Sequence, residues 1–185
     1  ISSKESKVIL DFLIHVLISD LGIDAVAVWV IEEGTDFMKI EESSGLSERY
    51  IRFFNKTDRI RVGRGLVGQV MSDKKTIYYE KPEEYRDFGN ARWNIMLQDE
   101  GVKAILSSPM FVGDRVIGTF NIYYKTPHQI SQYERRFIEI LANQISIAIE
   151  NTEHSRTLRQ SEEKLKRQIE KLLELQNVTQ FLNLR

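Results

Sequence analysis

The chain has 185 residues, 42% of them apolar and 29% charged, the balance of one globular domain with room for an extended segment. Its 26 basic and 27 acidic side chains give a net charge of -1, which argues against an electrostatic nucleic-acid binder, since that needs a basic surface. With 0 cysteines it has no disulfides, thiol catalysis, thiolate metal sites or iron–sulfur clusters, and the composition fits a reducing, cytoplasmic setting.

Val8, Ile9, Phe12, Leu13, Val16 and Leu17 recur at helical spacing, and Gly22 ends that helix. The stretch is too short and too polar to span a bilayer. The chain opens Ile1-Ser2-Ser3 without Met, as a piece of a longer polypeptide would, so a membrane anchor is expected only outside it. Ala25 to Ile31 reads as a strand, Glu32 to Asp36 as a hairpin turn and Phe37 to Glu42 as the return strand. A short helix is expected from Ser47 to Phe54, with Ser47 as its N-cap.

Gly63-Arg64-Gly65-Leu66-Val67-Gly68 has the spacing of a dinucleotide fingerprint. The strand before it would be Arg59-Ile60-Arg61-Val62, too charged for a strand buried on both faces, and no further βαβ unit follows. A glycine-rich turn feeding a short helix is the better reading. Thr76 to Tyr79 is a short strand. Residues 82–100 form a polar connection whose aromatics, Tyr85, Phe88 and Trp93, imply that it packs. Val102 to Val112 and Arg115 to Lys125 form a second hairpin around Gly113-Asp114. From Ile130 to the end there is neither Gly nor Pro, which predicts one long helix. Hairpins flanked by helices predict an antiparallel sheet and an α+β fold.

Three blocks carry a resemblance. They are Gly65-Leu66-Val67-Gly68-Gln69-Val70; Ser107-Ser108-Pro109-Met110 with Gly113-Asp114-Arg115-Val116-Ile117-Gly118 and Asn121; and the run from Phe137 to Asn151. Together they resemble a GAF domain of a signalling protein followed by a signalling helix. The resemblance implies a six-stranded antiparallel sheet with N- and C-terminal helices on one face and a ligand pocket on the other. It implies a sensory domain over residues 1–151 and a helical coiled-coil connector over 152–185, leading to an output such as a histidine kinase of a two-component system or a cyclic-di-nucleotide enzyme. The function expected is non-catalytic: binding of an unidentified small molecule and relay through the C-terminal helix. A ligand-free relay and dimerisation module is one alternative, and a cyclic-nucleotide-binding domain is another.

Family subclasses narrow the cofactor. Bilin attachment and free methionine sulfoxide reduction both use cysteine in the family, and this chain has none. The cyclic-nucleotide signature falls on Tyr124-Lys125, Ile130 and Glu134-Arg135, where only Lys125 is kept and Glu134 is a near match. Heme is not expected, because His15 and His154 belong to helices outside the anticipated pocket and His128 lies on a loop with Pro127, and three histidines so far apart give no metal site. For the small ligand the candidate residues are Trp29 on the first strand, Tyr85, Arg92, Trp93 and Met96 in the connection, and Ser107, Thr119, Asn121 and Tyr123 on the last hairpin. Strand alternation assigns Val116, Gly118, Phe120 and Ile122 to the helix-covered face and Ile117, Thr119, Asn121 and Tyr123 to the pocket face. Arg92 is the candidate for gripping an anionic group, with Asp87 and Asp99 as competing local partners.

In the terminal helix, Ile138, Leu141, Ile145 and Ala148 follow one apolar frame, and Leu158, Leu165, Ile169 and Leu172 another. The shift reads as a skip in a coiled coil and as a candidate bistable element. Leu158, Leu165, Ile169 and Leu172 are the expected dimerisation seam, with a homodimer formed through the terminal helices.

Overall fold

In the computed structural model of the chain, residues 22–81, 84 and 91–183 are described, without the side chains of 152–156 and 169–183. The helix expected over residues 8–18 lies outside them. Six strands form one sheet: β1 (Ala25–Ile31), β2 (Phe37–Ser44), β3 (Ile60–Arg61), β4 (Ile77–Tyr79), β5 (Ala104–Val112) and β6 (Arg115–Tyr124). Their order is β3-β2-β1-β6-β5-β4, and every pair is antiparallel. The helices are α1 (Glu48–Arg52), which runs into a π-helical turn over Phe53–Thr57, then α2 (Gly65–Asp73), α3 (Ala91–Asp99) and α4 (Gln132–Asn183).

The sheet separates two cores. On one face Val26, Val28, Leu106, Phe120, Ile122 and Tyr124 pack against Ile138, Ala142 and Ile145 of α4. On the other, Ala27, Trp29, Met38, Ile105 and Tyr123 pack against Tyr50, Phe54, Val67 and Met96 from the smaller helices. Ser47 caps α1 as its residue type predicts, accepting from the Tyr50 backbone N–H at 3.1 Å. β3 pairs with β2 only at Phe37 and Met38. Farther along, the Asn55 side chain takes over as a stand-in strand, accepting from Ile40 N at 2.7 Å and donating to Ile40 O at 2.9 Å.

The glycine motif is a turn, as its charged flanks imply. Gly63 and Gly65 adopt φ of +81° and +60°, and a Cβ on Gly68 would stand 2.2 Å from the Arg61 carbonyl oxygen. Gly68 thus lets α2 lie directly on the end of β3.

Three expectations need correction. The connection 82–100 contains a helix, α3, over residues 91–99; its mixed polarity hides an apolar side of Trp93, Met96 and Leu97. The alternation assigned to β6 fails at its start. A register shift between Met110 and Phe111 puts Val116 in the core under the small helices and Ile117 against the α4 side. One extra residue in a ladder reverses the faces beyond it. The two frames of the terminal helix, finally, are not two versions of one seam. Ile138 and Ile145 face the sheet and are fully buried, whereas Leu158 and Leu165 are exposed. The first frame ends because the sheet ends, and the second lies on another side of the same helix.

Candidate ligand-binding cavity

The face opposite α4 encloses a cavity with about 40 Å³ of room for solvent. Its floor is sheet: Trp29, Ile105, Asn121 and Tyr123. Tyr50 and Phe54 form one wall, Ile60 and the start of α2 (Gly65, Leu66, Val67) another, and Trp93, Asn94 and Leu97 of α3 the roof. Aromatic edges set the shape. Phe54 stands edge-on to Trp29 at 5.4 Å and lies 4.7 Å from Tyr50 and 6.4 Å from Trp93 between centroids.

Beneath the aromatics runs a buried polar network. Asn121 Oδ1 accepts from Ser107 Oγ at 2.7 Å and from Thr119 Oγ1 at 3.0 Å. The Asn121 amide donates to the Tyr123 hydroxyl at 3.3 Å, as does Trp29 Nε1 at 3.4 Å, and Tyr50 and Tyr123 share a further hydrogen bond. Burial pushes the phenols of Tyr50 and Tyr123 above their ordinary range, because a phenolate there would lose its water. Among the described lining residues none is charged. The site can take an apolar or aromatic body and offer it neutral hydrogen-bonding groups; it presents no counter-charge.

Of the residues singled out in the sequence, Trp29, Trp93, Asn121 and Tyr123 come together on the cavity. Ser107 and Thr119 are fully buried and hold Asn121 from behind. Met96 is buried in the adjoining core. Arg92 points away: it pairs with Asp58 at 3.5 Å and lies over the Phe53 ring, while Asp99 pairs with Arg49 at 3.0 Å. Tyr85 lies outside the described residues. Sequence reasoning missed Tyr50, Phe54, Leu66 and Leu97; the i, i+4 spacing of Tyr50 and Phe54 on the predicted helix was the available signal. Of the residues aligned with the cyclic-nucleotide signature, Tyr124 and Ile130 pack in the α4-side core, and Lys125 donates to the Gly45 carbonyl at 3.2 Å. Tyr124 stacks on His128 at 3.8 Å and donates to Glu134, whose carboxylate also meets His128 Nε2 at 3.0 Å.

A six-stranded antiparallel sheet with a long helix on one face and a roofed aromatic cavity on the other places the chain among small α+β folds. Residues 3–150 match the family model described as GAF domain, and the chain belongs to that family. No curated relative matches it. Solved structures agree in fold. A domain assigned to a two-component sensor histidine kinase from Sinorhizobium meliloti superposes with TM-score 0.67 at 20% identity, covering 83% of this chain and 96% of that one. The GAF domain of a phosphoenolpyruvate-protein phosphotransferase from Coxiella burnetii gives TM-score 0.68 at 16% identity, covering 82% and 86%. A free methionine-R-sulfoxide reductase from Neisseria meningitidis gives 0.63 at 16%, covering 81% and 86%. Among the described residues no helix is long and apolar enough to cross a membrane.

Proposed function

We propose that this GAF domain is a regulatory module of a signal-transduction protein, without catalysis of its own, which holds a small uncharged molecule in the aromatic cavity and passes its occupancy to α4. Residues 1–151 form the sensor in this reading, and 152–185 the connector to an output domain. The observation that carries it is a pair of consecutive serines on β5 facing opposite sides of the sheet. Ser107 donates to Asn121 on the cavity floor. Ser108 meets Thr76 Oγ1 at 3.2 Å, and Thr76 in turn lies 2.7 Å from Glu139 on α4. A ligand that moves the floor therefore moves groups bonded to the helix, and it signals to the extent that it binds one helix packing more tightly than another.

About 40 Å³ accommodates only a water or two, so a larger ligand enters by lifting α3. Lifting α3 breaks the exposed ion pair Asp99–Arg49, of the kind worth at most about 1 kcal/mol, the Arg92–Asp58 pair with its more buried carboxylate, and the packing of Trp93 and Met96. The uncharged lining sets a cyclic nucleotide behind a neutral ligand, since its phosphate would meet no cation. The thiol chemistry of reductase members is not proposed for a chain with Cys 0.

Native mass spectrometry of freshly purified protein, followed by hydrogen exchange on the loaded and stripped forms, tests this. The expected result is a retained small mass whose removal speeds exchange in α3 and in residues 132–150. No retained mass, and no exchange difference on incubation with neutral aromatic probes such as indole, would favour the ligand-free relay, which the small cavity also suits.

A further inference from the structure

The polar network beneath the aromatics holds more hydrogens than its own bonds use. Trp29 Nε1, Ser107, Thr119, Tyr50 and Tyr123 bring one each and the Asn121 amide brings two, whereas the five hydrogen bonds that join these groups consume one apiece. Two hydrogens are left over, whichever way each hydroxyl turns. Among the described residues these six side chains have no further hydrogen-bond partner. Glu100 acts on both phenols through its field, but its carboxylate accepts from Ser47 N and Oγ.

The amide of Asn121 decides where the surplus lies. Turned over, it would donate to Ser107 and Thr119 and strand their hydroxyl hydrogens, where both residues are fully buried and neither lines the cavity. With Oδ1 accepting both hydroxyls, the surplus is one Asn121 N–H and one phenolic O–H of the Tyr50–Tyr123 pair. Asn121, Tyr50 and Tyr123 all line the cavity and are at most 3% exposed, so only the contents of the cavity can meet these hydrogens.

We infer that the molecule held in this cavity presents a carbonyl oxygen to Asn121 and the tyrosine pair, which makes it a neutral, largely apolar or aromatic ketone or ester; the inference rests on the ligand-holding reading above. A carbonyl oxygen has two lone pairs and no hydrogen, so it takes both surplus hydrogens and adds none. A carboxylate would accept them too, but no cation stands among the described lining residues, and its charge would be buried unpaired. A water or a hydroxyl brings hydrogens of its own to walls of Phe54, Ile60, Val67, Leu97 and Ile105, which accept none, and Asn94 in the roof is already engaged. A carbonyl that displaces such a water therefore gains.

Three probes of one skeleton test this on the full chain. Acetophenone carries the carbonyl, α-methylbenzyl alcohol a hydroxyl in its place, and ethylbenzene neither. Affinities are read from the side-chain N–H signals of Trp29, Trp93 and Asn121 in heteronuclear NMR. Acetophenone should bind at least about tenfold tighter than the alcohol, which matches it closely in apolar character. The carbonyl stretch of bound, isotope-labelled acetophenone should lie at or below its frequency in water. Equal affinities for ketone and alcohol overturn the inference. So does a bound carbonyl stretch at its frequency in hexane, which would set the oxygen against an apolar wall. In either case binding of ethylbenzene keeps the cavity as a ligand site, and only the carbonyl requirement falls. If none of the three probes moves the Trp29 and Trp93 signals, the ligand-holding reading falls and this inference with it.

Discussion

Asn121 is the residue on which the cavity floor depends. Its carbonyl oxygen holds two buried hydroxyls at once, so its loss strands two donors, whereas loss of either hydroxyl leaves the carbonyl still bonded. Asn121→Leu is therefore expected to destabilise by roughly 3 kcal/mol, and Ser107→Ala by only about 1 kcal/mol, read as urea midpoints at unchanged slope. Equal costs would mean that the network does not converge on Asn121. Gly118 is constrained by space instead: a Cβ there would stand 2.0 Å from the Trp29 carbonyl oxygen and 2.7 Å from the end of Met110. Backbone cannot yield as a side chain can. Gly118→Ala should open the β1–β6 ladder and cost about 3 kcal/mol or more, with β1 amides losing exchange protection before those of β5.

Among the elements, α2 ends on Lys74 in the left-handed region, at φ 56°, where the fold would favour glycine. Lys74→Gly is expected to raise stability by about 0.5–1 kcal/mol in thermal or urea melts, since the exposed bond from its Nζ to Asp114 O is readily replaced by water. The elements that the sequence made legible are those whose signals are local. The two hairpins, the Ser47 cap, the glycine turn and the long helix each rest on residue types within a few positions of one another. Half of the cavity floor was legible in the same way, through the alternation of Thr119, Asn121 and Tyr123. α3 was not, because apolar and polar residues mix along it and one apolar residue, Ile95, faces solvent, so that Trp93, Met96 and Leu97 make sense only once a cavity lies beneath them. The faces of Val116 and Ile117 were not, because a bulge is a property of two strands together. The terminal helix misled for a similar reason: its two apolar stripes answer to two different surfaces, and a single chain shows only their sum.

At the scale of the whole molecule, two cores share one sheet, and the core away from α4 is unusually rich in phenols. Tyr50 and Tyr123 are wholly buried, and burial, with Glu84 nearby, lifts Tyr79 to about 12. The sign is fixed: below pH 10 these groups are neutral in both states and add no pH dependence. Above it the unfolded chain gives up protons that the folded one retains, so stability falls as pH rises, by about 1.4 kcal/mol per pH unit for each of the two buried phenols. Urea midpoints should hold level to about pH 9 and then drop steeply, and Tyr50→Phe should flatten the drop. The cavity has a consequence of another kind. The chain has 2 tryptophans, and both Trp29 and Trp93 line that cavity, one in the floor and one in the roof. All indole emission from this protein therefore originates at the cavity wall. An unlabelled sample carries its own optical gauge of whether the roof is closed, and a guest that parts α3 from the sheet would announce itself as a change of colour.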